Sequence, residues 1–68
     1  MATGTVKWFN ATKGYGFIRP DVGDKDVFVH VTSLEASGMK SLNEGQRVSY
    51  QTISDRRGEK AVEITKID

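Results

Sequence analysis

No stretch of this chain sustains a helical period. Short runs rich in Val, Ile, Thr and aromatic residues alternate with turn-forming residues, and seven glycines supply much of the punctuation, the pattern of an all-β domain. Five strands are predicted. The first covers about residues 4–10 and the second residues 14–19, joined by the turn-forming run Asn10, Ala11, Thr12, Lys13, Gly14, so these two make a hairpin. Pro20 lacks a backbone donor and ends the second strand, and residues 21–25 form a polar loop into a third strand at 26–31. Residues 32–44 are a longer connection. Thr32 and Glu35 have capping-box spacing there, but Gly38 follows so soon that only a single helical turn is expected. A fourth strand at about 46–53, a tight turn through Asp55, Arg56, Arg57 and Gly58, and a fifth strand at about 60–67 complete the chain.

A chain of 68 residues makes one domain, spanning 1–68, with no repeats or linkers. At this size folding hides only about 60% of the unfolded chain's surface, which leaves little material for a deep active-site cavity. There is no cysteine, so the core must be ordinary apolar packing rather than a disulfide framework or a thiolate metal cluster. Five short antiparallel strands leave exposed edges unless the sheet curls closed, so a small five-stranded antiparallel barrel is the economical architecture. The oligonucleotide-binding (OB) fold is one such barrel and the SH3-like barrel is another; strand count admits both. The formal charge is +1, well short of the basic balance that holds proteins to duplex DNA through phosphates. Neither the apolar core of a secretory signal nor a run of about 20 apolar residues is present, so a cytoplasmic location is expected, with a monomer favoured.

The aromatic residues narrow the function. Trp8, Phe9, Tyr15, Phe17 and Phe28 all lie in the first half of the chain, and Tyr50 stands apart. Strand alternation sends Val27 and Val29 to one face and Phe28 and His30 to the other; a small barrel fills its interior with branched aliphatics, so the rings face out. In the second strand Ile18 points inward and Tyr15, Phe17 and Arg19 outward, with Gly14 and Gly16 expected to leave space between the rings. Strict alternation cannot place both Trp8 and Phe9 outward without a bulge or a strong local twist. A single aromatic in a small domain is ordinarily core. Five of them clustered on neighbouring strands, with aliphatics at alternate positions, outweigh that default, leaving Phe9 and Tyr50 as structural in whole or part. An exposed row of rings marks a contact surface, and interleaved with Lys7, Lys13, Arg19 and His30 it suits a single strand of nucleic acid: bases stack on rings while cations meet phosphates.

The run KGYGFI at 13–18, followed by VFVHV at 27–31, resembles the paired ribonucleoprotein motifs of the cold-shock domain. In the RNA-recognition-motif fold the KGFGF-type strand follows its partner motif and two helices are needed; here it comes first and no helix fits. With GTVKWFN at 4–10 and LNEGQRVSY at 42–50, the resemblance to bacterial cold-shock proteins covers nearly the whole chain. It implies an OB barrel that binds single-stranded RNA and DNA with low sequence selectivity and acts as an RNA chaperone. It also implies a main surface of Lys7, Trp8, Phe17, Phe28 and His30, with Lys13, Phe9 and Tyr15 around it and Arg57 contributing from the last turn. The chain departs from the family at Val31, usually phenylalanine, at Met39, often phenylalanine, and in the turn Gly58, Glu59, Lys60, Ala61, usually Gly-Pro-Gln-Ala. Strict alternation would put Val31 in the core, whereas the resemblance places it at the strand's end, turned toward ligand; the second is expected.

Other chemistries fare poorly. The one histidine has no predicted carboxylate or serine partner, so catalysis is not expected and no cofactor is called for. One histidine with scattered aspartates is a poor metal site. KGYG lacks the spacing of a phosphate-binding loop, and Asp21, Asp24 and Asp26 read as a solvated loop rather than a calcium site. A proline-rich peptide is the other ligand that docks on an aromatic groove, and it belongs with the SH3-like alternative.

Overall fold

The computed structural model describes residues 2–56 and 58–67, the side chain of Asp55 excepted. Five strands, β1 (Ala2–Asn10), β2 (Tyr15–Pro20), β3 (Val27–His30), β4 (Arg47–Asp55) and β5 (Gly58–Lys66), and one short helix, α1 (Val31–Ala36), make up its regular structure. The sheet closes on itself in the order β1-β2-β3-β5-β4. Both hairpins and the β2–β3 and β1–β4 pairs are antiparallel, but β3 meets β5 in parallel, through Phe28 and Lys60. The expected OB-type barrel is therefore present, with a correction at one seam. Its cause is parity: strand directions cannot alternate all the way around a ring of five, so one neighbouring pair must run the same way.

Strand limits differ modestly from expectation. Pro20 closes β2 from within, paired with Gly4, while β4 extends to Asp55 and β5 starts at Gly58. Gly58 stands at φ 119° there, a backbone conformation closed to side chains with a Cβ. The helix begins at Val31, so its cap lies two residues before the Thr32 cap suggested by the Thr32/Glu35 spacing. His30 caps it instead, its ring accepting from the Thr32 N–H.

Alternation delivers the core. Val6, Ile18, Val27, Val29, Val48, Tyr50, Ala61 and Ile64 project inward from the strands, and Leu34 of α1 and Leu42 of the long connection cover the barrel's end. Phe9 and Met39 pack against this cluster from its margin. The α1 end is tied down by Ser37, whose hydroxyl donates to the Ser33 carbonyl (2.9 Å) and accepts from the Ile64 N–H (3.0 Å). That N–H lies beside an irregularity in the β4–β5 pairing, where Glu63 adopts φ 52°.

Candidate nucleic-acid interface

The outward positions of β2 and β3 carry the rings. Register sets Phe17 directly across from Phe28 and Tyr15 across from His30, while the intervening Gly16, Ile18, Val27 and Val29 face inward and are buried. Directly opposed residues on one face are within contact range. The rings accordingly form a continuous row: Phe17 to Phe28 at 5.8 Å, Tyr15 to Phe28 at 6.0 Å with planes 25° apart, and Phe28 to His30 at 6.2 Å. Trp8 joins it edge-on to Tyr15 at 5.5 Å and to Phe17 at 5.4 Å. All five are half-buried, each shielded by its neighbours.

A register shift between Val6 and Trp8 resolves the conflict between Trp8 and Phe9. Val6 pairs with Ile18 and Trp8 with Phe17, leaving Lys7 as the extra, unpaired residue of a β-bulge. Past the bulge the alternation resumes one step out of phase, so Trp8 stands outside beside Phe17 and Phe9 turns back over Gly16 toward the core. Gly16 makes room for this. A Cβ there would lie 2.3 Å from the Trp8 carbonyl oxygen and 2.7 Å from the Phe9 Cα. The expectation that Gly16 spaces the outer rings is thus corrected: it faces inward, and its missing side chain admits the β1 backbone.

The predicted cations fall into different settings. Lys7, lifted out by the bulge, is exposed and paired with Asp26 at 2.9 Å. So exposed a pair contributes about 0–1 kcal/mol and is readily exchanged for another anion. Lys13 is exposed on the β1–β2 turn, where its backbone N–H donates to the Asn10 side chain at 2.9 Å. Arg19 is exposed at the far end of β2. Arg57 lies outside the described residues. The Nδ1 of His30 accepts the Thr32 N–H at 3.2 Å and lies 3.0 Å from the Thr32 hydroxyl, so the neutral ring carries its proton on Nε2, the nitrogen left for a ligand. Val31 opens α1 rather than ending β3; half-buried and outside the core cluster, it lies against Gly14, its Cγ1 3.1 Å from where a Cβ on that glycine would sit.

Between the rings and the start of β5 runs an open groove of about 420 Å³, lined by Tyr15, Phe17, Phe28, Asp26 and Glu59. Sequence reasoning missed both carboxylates: Asp26 read as part of a solvated loop, and Glu59 drew notice only as a departure in the last turn. The Lys7 partner of Asp26 is distant in sequence, and nothing local signals it. A larger concavity, about 570 Å³, lies at the mouth of the barrel, but Tyr50 is its one aromatic residue and it offers no row of rings. Among the described residues no group of three or more His, Cys, Asp or Glu side chains is placed to hold a metal ion, and no helix is long and apolar enough to cross a membrane.

A closed five-stranded OB barrel with a connected row of rings on one face and cations around it belongs to the class of nucleic-acid-binding β-barrels. Comparison with known proteins gives the family. The model of the 'Cold-shock' DNA-binding domain matches residues 2–67. The chain is 58% identical over 60 residues to a probable cold shock protein, y4cH, of Sinorhizobium fredii, covering 88% of this chain and 87% of that one. It is 56% identical over 61 residues to cold shock protein CspA of Rhizobium meliloti, covering 90% and 88%. Against the cold shock-like protein CspLB of Listeria monocytogenes the identity is 51% over 67 residues, covering 98% of this chain and all of the relative. This chain belongs to the cold-shock domain family.

Proposed function

We propose that the protein binds single-stranded RNA and DNA with low overall sequence selectivity and acts as an RNA chaperone, as a cytoplasmic monomer and without catalysis. The observation that carries this is the connected row Trp8, Tyr15, Phe17, Phe28 and His30 on the outside of the barrel, with neighbouring centroids 5.4–6.2 Å apart. Each ring offers a face to an unpaired base, at about 1–3 kcal/mol per stacked base, whereas a duplex keeps its base faces hidden. Lys7, Lys13 and Arg57 take the phosphates, Phe9 contributes at the platform's margin, where it packs against the core, and Val31 borders the platform beside His30. Several modest stacking contacts hold unpaired RNA without preventing its release, since a ligand bound to one form shifts the equilibrium only by mass action. The non-catalytic reading is supported by His30, the one histidine, whose Nδ1 is committed to capping α1.

Titrating the fluorescence of Trp8, the only tryptophan, tests this function. A short single-stranded oligonucleotide should quench it, and a proline-rich peptide should not. Quenching by the peptide alone would replace the nucleic-acid reading with a peptide-binding one.

A further inference from the structure

The ring groove is bordered by carboxylates. Asp26 and Glu59 line it together with Tyr15, Phe17 and Phe28. Negative charge beside a surface that a polyanion approaches weakens binding, unless the carboxylate meets a hydrogen-bond donor of the ligand. Asp26 is already engaged by Lys7 at 2.9 Å. Glu59 is exposed, and among the described residues no side chain forms an ion pair with it. Its place is nevertheless fixed, because it pairs with Ser54 in the β4–β5 ladder, and the residue after it, Lys60, is registered with Phe28 across the parallel seam.

We propose that Glu59 gives the ring groove a preference for guanine, its two oxygens accepting the N1–H and N2–H of a guanine stacked on Phe28 within the groove. The inference rests on the rings being a base platform, and it adds one selective subsite to an otherwise tolerant surface. Unpaired bases are read along their Watson–Crick edges. Guanine alone presents two adjacent donors there, matching the two oxygens of a carboxylate. Adenine and cytosine each offer one amino group, and uracil presents a single N–H between two carbonyl oxygens that a carboxylate repels. Because the groove is open to water, the preference should fall at the low end of a bidentate base contact, about tenfold over uracil.

The test titrates Trp8 fluorescence with a heptamer of uridine and with the same heptamer carrying one central guanine or one central inosine, which lacks the N2 amine. The guanine oligomer should bind about tenfold tighter than oligouridine, the inosine oligomer should lose most of that gain, and Glu59→Gln should bring guanine and uracil to within about twofold of each other. Circular dichroism checks that the exposed, isosteric substitution leaves the fold intact. A guanine preference that survives Glu59→Gln, or no preference in a protein that binds oligouridine, overturns the assignment of Glu59 and leaves the platform standing. Failure of every oligomer to bind overturns the platform as well.

Discussion

Phe28 and Val29 are neighbours on β3 that face opposite ways, and replacing each by alanine separates binding from folding. Phe28 is half-buried and touches Phe17 at 5.8 Å, Tyr15 at 6.0 Å and His30 at 6.2 Å, so it lies at the centre of the row. Losing its ring removes a stacked base, about 1–3 kcal/mol, or roughly 5- to 150-fold in affinity. It also removes three ring contacts that are only partly shielded from water, which costs about 1–2 kcal/mol of stability. Val29 is fully buried. Deleting two of its methyl groups forfeits about 1.6 kcal/mol of transfer free energy, and the cavity left behind raises this to about 2–3 kcal/mol. For a domain this small that is roughly half or more of a core contribution of about 3–5 kcal/mol, and at about 4–8 °C per kcal/mol the thermal midpoint falls by roughly 10–20 °C. Oligonucleotide affinity measured in the cold, where both variants remain folded, and a thermal melt give the two readouts. Phe28→Ala should lose mainly affinity and Val29→Ala mainly stability. Loss of binding in Val29→Ala with an unchanged melt would show that the two faces have been assigned the wrong way round.

Gly16→Ala should cost about 3 kcal/mol and lower the thermal midpoint by roughly 10–20 °C, because the new Cβ meets the backbone of Trp8 and Phe9 as well as the Phe9 ring; a midpoint within a few degrees of the parent would refute the tight crossing. Tyr50 is wholly buried, and its hydroxyl has no hydrogen-bond partner among the described residues, so Tyr50→Phe should raise stability by about 1 kcal/mol; a clear fall in the midpoint would mean the hydroxyl is satisfied. Asp21 is held at a pKa of about 2 by hydrogen bonds from Arg47 and Thr3. A depressed carboxyl stabilises the fold fully above its ordinary pKa, and that contribution is lost as the pH falls toward 2, so the difference in midpoint between the parent and Asp21→Asn should shrink between about pH 5 and 2. A constant difference across that range would remove Asp21 from the acid sensitivity.

The inward and outward faces of β2 and β3 were legible because both strands alternate without interruption, and the aliphatics at Ile18, Val27 and Val29 mark the inner side. The bulge at Lys7 was not legible, since an extra residue leaves no mark of its own in composition. Its trace lay on the opposite strand, where Gly16 inside a run of good strand formers signals a close backbone approach. The Thr32/Glu35 spacing misplaced the start of α1 because a histidine ring can supply the same acceptor as a Thr hydroxyl, and His30 stood where strand alternation alone accounted for it. The parallel seam between β3 and β5 could have been deduced by counting strands around a closed ring. The Lys7–Asp26 pair and the place of Glu59 beside the rings depend on chain crossings that no local pattern encodes.

The central claim, that unpaired bases stack on the ring row, is tested most directly by comparing the affinity for one single strand with that for its matched duplex across a range of salt. Single strands should bind far more tightly, and with two or three phosphates met by Lys7, Lys13 and Arg57 the log-log salt slope should be only about −1.5 to −2, at roughly 0.7 per neutralised phosphate. Equal affinity for strand and duplex, or a slope near about −5, would show that charge rather than stacking governs binding.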